Sequence, residues 1–396
     1  MRILIVSNLY PPYIRGGNEV VIAAVVSRLH QSLHHLTVVT TRPYQGIASL
    51  RPEHFDEDGV TVYRFWPFNL YSLLFDHKYS VLARLFWHVF DIFNFHSYFV
   101  IKGIIQKQKP DVVITNNLTG IGFLLPLLLH QLRIRHLHII HDVQLYTPSG
   151  LLIYGQENSW QERLVRWSGY AGLMRWLWGS PETVISPSKF LLQFYQQRNF
   201  FVKSKAVVIR NPIPFALTVR HQTVNGPLRL LFVGQITKAK GIIDLAKLIL
   251  SHPEWNLSLI IAGLGPDIRL LAFLVTADKR IQLLGWRSRP EVVALLTQSD
   301  VLIHPSLCYE NFPTSILEAL AAGLPVLTSA SGGAAELIHE AENGWSFQPG
   351  DWKELAGRLE LLQQQPELAR GLSENCQRSV ADLTGEHYLQ QLHQLL

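Results

Sequence analysis

Short runs of β-branched and large aliphatic residues alternate with longer amphipathic segments along the whole chain. RILIVS (2–7), HLTVVT (35–40), DVVITN (111–116), HLHIIH (136–141) and TVISPS (183–188) predict strands in the first half. LRLLFVG (228–234), LSLIIAG (257–263), IQLLGW (281–286), DVLIHPS (300–306) and PVLTSA (325–330) predict strands in the second. Strands separated by helical segments imply two parallel sheets with helices on both faces, an α/β chain of two Rossmann-like halves. Two prolines stiffen Asn211-Pro212-Ile213-Pro214, and the polar stretch VRHQTVNGP (219–227) follows. Domains are therefore expected over 1–210 and 211–380. Apolar residues at helical spacing (Tyr388, Leu389, Leu392, Leu396) predict a last helix within 381–396.

One charge interrupts this pattern in an informative place. In YENFPTSILEALAAGLPV (309–326) every residue from Ile316 to Ala322 except Glu318 is apolar. Proline at 313 suits the first turn of a helix, and Gly323 with Pro325 ends it. A carboxylate in such a helix needs a polar partner, because desolvating it costs several kcal/mol. The segment supplies no partner, and a sugar diol would satisfy it with two hydrogen bonds. The competing reading is a solvated outer face. No second polar residue shares that face within the next turn.

The spacing of Glu310 and Glu318, followed by GLPVLTSASGGAAELI (323–338), resembles the E-x7-E signature of family 4 retaining glycosyltransferases of the GT-B fold. The resemblance extends to RILIVSNLYPPYIRGGNEVVIAAVVSRL (2–29), IIHDV (139–143), VISPSKFL (184–191) and LLFVGQITKAKGIIDLAKLI (230–249), all in family order. It implies two Rossmann-like domains facing across a cleft, the first binding acceptor and the second a nucleotide-sugar such as a UDP- or GDP-sugar. The last helix is implied to pack back on the first domain.

The resemblance also implies roles for individual residues. Glu318 would anchor the ribose and Glu310 would face the sugar. Asn311, Phe312, Pro313 and Thr314 would offer helix-start N–H groups to oxygen atoms. Gly16 and Gly17 would let backbone approach the diphosphate, Lys240 would place a cation on it, and His141 with Asp142 would lie beside the reacting sugar carbon. The family carries arginine where this chain has Gln235, and Lys238 or Arg15 would have to compensate. Only Glu310 is expected near the sugar, so double displacement through a carboxylate nucleophile lacks its second group. Front-face substitution with retention is the implied route. An epimerase or phosphorylase of the same fold, and a nucleotide-sugar binding protein with weak transfer, are the alternatives.

Composition narrows the setting. At 396 residues, 48% hydrophobic and 16% charged, the chain reads as two globular cores. Cys308 and Cys376 form no disulfide framework or zinc spacing, which fits a cytoplasmic, reducing interior. No signal peptide opens the chain, and Tyr79–Ile105, the most apolar stretch, is broken by charges and predicts one or two amphipathic helices. A net charge of +5 without a basic stripe is no nucleic-acid signature. Asp56-Glu57-Asp58 before Gly59 predicts a solvated hairpin turn, and neither a metal nor a cofactor is expected. The nucleotide-sugar is a substrate.

Aromatic residues bear on the acceptor, expected to be a glycan or lipid-linked. Fourteen lie between Tyr63 and Phe99, and four of the ten tryptophans lie between Trp160 and Trp178. The latter stretch interleaves Arg163, Arg166 and Arg175 with Trp160, Trp167, Trp176 and Trp178. That mixture suits an interfacial helix at the inner face of an anionic membrane, a helix over the acceptor site, or a dimer contact.

Overall fold

Each expected strand forms, and except in the edge strand at Ile281–Gly285 its apolar run is largely buried because helices cover both faces of the sheet. The computed structural model describes residues 1–32, 34–157, 159–160, 163, 169–213 and 226–396. The chain divides into two units: 1–151, 158–212 and 385–396 form the first, and 152–157 with 213–384 form the second. Against the expected boundaries, 152–157 join the second unit, 211 and 212 stay with the first, and the returning segment begins at Gly385. A bridge of Ile153 to Cys308, with the Tyr154 N–H donating to the Leu307 carbonyl at 2.8 Å, binds 152–157 to the second unit.

The first unit runs β1 (Arg2–Val6), α1 (Gly17–Gln31), β2 (His35–Thr41), β3 (Glu53–Glu57) and β4 (Val60–Phe65). It continues through α2 (Val81–Ile92), α3 (Phe95–Gln108), β5 (Val112–Thr115), α4 (Leu125–Gln131) and β6 (Arg135–Ile139). It then adds α5 (Tyr170–Trp178), β7 (Thr183–Ser186), α6 (Lys189–Gln196) and β8 (Lys205–Val208). The sheet order is β3-β4-β2-β1-β5-β6-β7-β8, parallel except for the β3–β4 hairpin. Asp58 and Gly59 make that hairpin's turn with positive φ. Asp56 and Glu57 lie in β3, where Glu57 pairs with Arg64 instead of standing free in solvent.

The second unit runs β9 (Leu228–Val233), α7 (Ile242–Leu250), β10 (Leu257–Ala262), α8 (Ile268–Val275), β11 (Ile281–Gly285), α9 (Arg289–Gln298) and β12 (Val301–His304). After it come α10 (Thr314–Ala321), β13 (Val326–Ser329), β14 (Gly344–Phe347), α11 (Trp352–Gln364), α12 (Glu367–Arg370) and α13 (Ser373–Ser379). Its sheet is wholly parallel, in the order β11-β10-β9-β12-β13-β14. The final helix, α14 (Gly385–His393), packs on α1 and buries Tyr388 and Leu392 in the first unit's core with Val25 and Leu29.

Two expectations about apolar stretches change. The Tyr79–Ile105 region is indeed two helices, α2 and α3, but the apolar face of α2 points outward. In the Trp160–Trp178 stretch, Trp178 is a core residue on α5, its ring 4.0 Å from that of His138, so it is not part of an exposed interfacial face. Trp160 and Trp176 are exposed, while Arg166 and Trp167 lie outside the described residues. Among the described residues, no helix is long and apolar enough to cross a membrane.

If docking of α14 contributes to the first unit's core, Leu392→Ala should cost about 2–5 kcal/mol, the range for truncating a buried leucine. Urea unfolding would measure it. An unchanged midpoint would mean that α14 is a detachable appendage.

Candidate active site

In the second sheet the strand order reverses between β9 and β12. Open α/β sheets offer their ligand crevice beyond the carboxyl ends of the strands at such a point. After β9 the chain makes one 3-10 turn at Lys238–Lys240 and enters α7 through Gly241. Gly241 has φ of +69°, and a Cβ there would fall 1.9 Å from the Pro305 carbonyl oxygen. Only glycine lets this loop close on the one after β12.

That closure brings Lys240 to Glu310. Lys240 Nζ lies 2.5 Å from Glu310 Oε1, and Ser306 Oγ donates to the same oxygen at 2.6 Å. His304 Nε2 is 3.8 Å away. Beneath them, Gly332 has φ of +60°, and a Cβ there would fall 2.2 Å from the Glu310 carbonyl oxygen. Gly333 N–H donates to that carbonyl at 2.6 Å. Three strand-end loops, after β9, β12 and β13, therefore meet on one residue.

Electrostatics follow from this packing. Burial alone would raise the Glu310 carboxyl, but the Lys240 charge, His304 and the hydrogen bonds from Lys240 and Ser306 hold it at about 2. Burial alone would lower the Lys240 ammonium, and the Glu310 carboxylate more than offsets it, so its pKa is raised. Burial takes His304 down to about 4, so at neutral pH it is uncharged.

Glu318 lies two turns farther on, at the middle of α10. It is not left seeking a partner from outside the protein: Arg289 Nη2 is 2.6 Å from its Oε1. Arg289 is the first residue of α9, a helix begun by a capping box in which Ser288 and Glu291 satisfy each other. Burial raises the Glu318 carboxyl, and Arg289 offsets only part of the rise. The expectation missed Arg289 because it comes from another helix, 29 residues away in sequence.

Other expected residues fall as follows. Asn311, Phe312 and Pro313 lead into Thr314, the first residue of α10, with Phe312 and Pro313 buried. Gln235 is exposed, and its carbonyl accepts from the Thr237 N–H at 3.1 Å. Lys238 is exposed and lines a pocket of about 290 Å³ with Ile243, Lys247 and Leu274, whereas Lys240 is the lysine brought to Glu310. In the first unit, Gly16 caps α1, and its N–H donates to Glu19 Oε2 at 2.7 Å; Gly17 is the first helical residue. The Gly16 N–H is therefore engaged by the helix's own carboxylate and is not an open donor for phosphate.

His141 and Asp142 follow β6 and line a cavity of about 20 Å³ with Asn117, His138 and Tyr195. Asp142 Oδ1 accepts from the Gln144 N–H at 2.9 Å and Oδ2 from Asn117 Nδ2 at 3.2 Å. Tyr195 donates to the Asp142 carbonyl at 2.8 Å. Asp142 thus holds its own turn together. Burial raises it to about 6 and lowers His141 to about 4, so His141 is neutral at physiological pH. Sequence reasoning also missed His304, Ser306 and Asn117. The first two had a signal, since they close the DVLIHPS strand at the end shared with Lys240. Among the described residues, no group of three or more His, Cys, Asp or Glu side chains could hold a metal ion.

The chain is similar to known glycosyltransferases along most of its length. The family model "Glycosyl transferase 4-like domain" matches residues 16–212, and "Glycosyl transferases group 1" matches 218–379. A 42.6 kDa protein in the cps region of Klebsiella pneumoniae is 26% identical over 85% of this chain and 87% of its own length. The amylovoran biosynthesis glycosyltransferase AmsK of Erwinia amylovora is 31% identical over 39% of this chain and 40% of its own. The putative colanic acid biosynthesis glycosyltransferase WcaL of Escherichia coli is 28% identical over 35% and 36%. Among solved structures, sucrose-phosphate synthase of Thermosynechococcus elongatus superposes with a TM-score of 0.77 at 20% identity, covering 100% of this chain and 98% of that one. Anabaena HepE in complex with UDP-glucose gives 0.69 at 18%, covering 100% and 99%. At these identities the structural likeness is one of fold, the GT-B fold.

The Lys240–Glu310 pair makes a pH-dependent contribution whose sign is fixed. The folded pKa of Glu310, about 2, lies below its ordinary 4.5, so the contribution is full above pH 4.5 and fades as pH falls toward 2. Lys240→Met leaves the buried carboxylate without its cation and should cost about 3 kcal/mol at pH 7. The deficit should shrink at pH 4, where the unpaired carboxyl can protonate. Urea titrations at both pH values would measure it, and an equal deficit at each would remove the pair as its cause.

Proposed function

Because this chain belongs to the family 4-type glycosyltransferases of the GT-B fold, we propose that it moves a sugar from a nucleotide-sugar to a glycan or lipid-linked acceptor of a surface polysaccharide, with retention. The observation that carries this reading is Glu310, held ionised by Lys240 and Ser306 where the second sheet's strand order reverses. The names of the amylovoran and colanic acid relatives support the polysaccharide setting, and the UDP-glucose complex of HepE supports a nucleotide-sugar donor.

In this reading the diphosphate lies against the loop after β9, and Lys240 shares its charge between Glu310 and the departing phosphate. Glu310, with Asn311–Thr314 at the start of α10, orients the sugar hydroxyls. Glu318 accepts hydrogen bonds from the ribose diol, with Arg289 balancing its charge until the nucleotide arrives. The reading assigns neutral His141, in the first unit, to the donor sugar, where an uncharged imidazole hydrogen-bonds without repelling an oxocarbenium-like centre. No carboxylate attacks that centre. The phosphate leaves, accepts the acceptor hydroxyl's proton, and the acceptor oxygen bonds to the same face. The protein contributes orientation and charge stabilisation. In this reading Lys240 meets the charge on the diphosphate, and no metal ion takes part.

Proton NMR of the transfer product reports the new anomeric centre directly. Retention is expected, and inversion would discard the front-face route. Lys240→Ala should lower kcat by roughly 10²-fold, as for the loss of one donor to developing negative charge. Lys238→Ala should be milder, and a reversed order in single-turnover transfer would move the phosphate contact to Lys238. Glu318→Ala should weaken UDP binding by about 1–3 kcal/mol, read by calorimetry. Unchanged affinity would remove Glu318 from the ribose.

A further inference from the structure

A surface helix of a water-soluble domain turns its apolar stripe to the core and its polar residues to solvent. Helix α2 does the opposite. Leu82, Leu85, Phe86, Val89, Phe90 and Phe93 follow the i, i+3, i+4, i+7, i+8, i+11 pattern of one helical face, and they are 42% to 69% exposed. The inward side carries Trp87, Asp91 and Ile92, all buried, with half-buried Arg84 and His88. The rotation of the helix is fixed from inside. Trp87 Nε1 donates to the Tyr71 carbonyl at 2.8 Å, and Asp91 Oδ2 accepts from the Gly120 N–H at 2.8 Å. Turning the apolar stripe inward would break both bonds and bring Asp91 out. Helix α3 extends the same character with Phe95 and Phe99, 63% and 65% exposed.

Charge identifies what covers this face. From Lys78 to Lys109 the chain carries five lysines and arginines and one acid, Asp91, which is wholly buried. Lys78, exposed just before α2, sits 5.0 Å from the centre of the Phe75 ring, and Lys102 follows Phe95 and Phe99 at helical spacing. Outward-facing Phe and Leu with basic residues at the margin are the composition of a helix lying in the headgroup region of an anionic bilayer.

We propose that the outer face of α2, continued by Phe95 and Phe99 of α3, docks the protein on an anionic phospholipid membrane surface. The apolar residues enter the boundary between headgroups and acyl chains, and Lys78 and Lys102 meet the headgroup phosphates. The proposal does not rest on the transferase reading, because docking needs neither donor nor acceptor.

Sedimentation with phosphatidylglycerol/phosphatidylcholine vesicles tests it, with pure phosphatidylcholine vesicles as the comparison. The wild type should partition to the anionic vesicles, less so as salt rises, since surface charges are screened. Phe86→Ser/Phe90→Ser should lower the partition coefficient roughly tenfold or more, and Lys78→Gln/Lys102→Gln should lower it only on the anionic vesicles. Phe86, Phe90 and Lys78 are exposed and Lys102 is half-buried, and an unchanged melting temperature shows that the fold is kept. Trp160→Ala/Trp176→Ala should partition like the wild type. Equal partition of the Phe86/Phe90 variant and the wild type would overturn the proposal. So would a dimer in analytical ultracentrifugation that the Phe86/Phe90 variant splits, since the face would then be a subunit contact.

Discussion

A carboxylate held charged inside the protein organises the second unit. Glu310 is mostly removed from water, and such a group is tolerated only with a close cation and further hydrogen bonds. The fold meets that demand with three loops at once. Lys240 comes from the loop after β9, Ser306 from the loop after β12, and Gly332 and Gly333 support the Glu310 backbone from the loop after β13. The positive φ of Gly241 and Gly332 is a consequence of this requirement, since a Cβ at either would push the loops apart. The loop geometry is therefore set by the need to satisfy one charge, at the point where the sheet's topology opens a crevice.

The helical pattern around Glu318 shows where sequence reasoning reaches and where it stops. The ten expected strands, the alternation with helices and the extent of α10 were legible because they depend on residues close together in the chain, whereas β3, β8 and β14 were not foreseen. The oddity of Glu318 was legible too, as a charge among apolar neighbours. Its partner was not, because Arg289 arrives through the packing of α9 beside α10, which local periodicity does not encode. The same holds for Lys240. Its place in a glycine-ended loop was readable, but its pairing with Glu310, 70 residues on, is a product of sheet topology. Gly16 shows the converse. Its glycine-rich setting suggested an open backbone donor, and Glu19, only three residues away, takes that N–H in a capping box.

Orientation was the least legible property of all. The Val81–Ile92 segment has a strong apolar stripe in its sequence, yet a stripe says only that one side differs from the other. Two inward bonds, from Trp87 and to Asp91, decide which side is buried. Likewise the tryptophans of 160–178 looked alike in sequence, but Trp178 packs against His138 in the core while Trp176 faces out. Exposure is a tertiary property, and residues of one type two positions apart on a helix can differ in it completely.

Three buried carboxylates in this chain meet the same penalty in different ways. Asp91 has one backbone N–H and, among the described residues, no cation at hand, and burial pushes it up to about 8, so it is a neutral acid at pH 7. Asp142 accepts from a backbone N–H and an amide, and lies at about 6, on the ionised side of neutrality. Glu310 has a lysine and a serine and stays ionised down to about 2. The order follows the number and charge of the donors, not the depth of burial alone. It also separates their capacities. A neutral acid can anchor a helix, and a carboxylate spent on its own turn can shape a loop. Only a carboxylate kept ionised by a cation that can also engage a phosphate is prepared to meet a charged ligand and give up part of its partner to it. That combination occurs at Glu310, which is why the chemistry is assigned there and not to the more deeply buried Asp91.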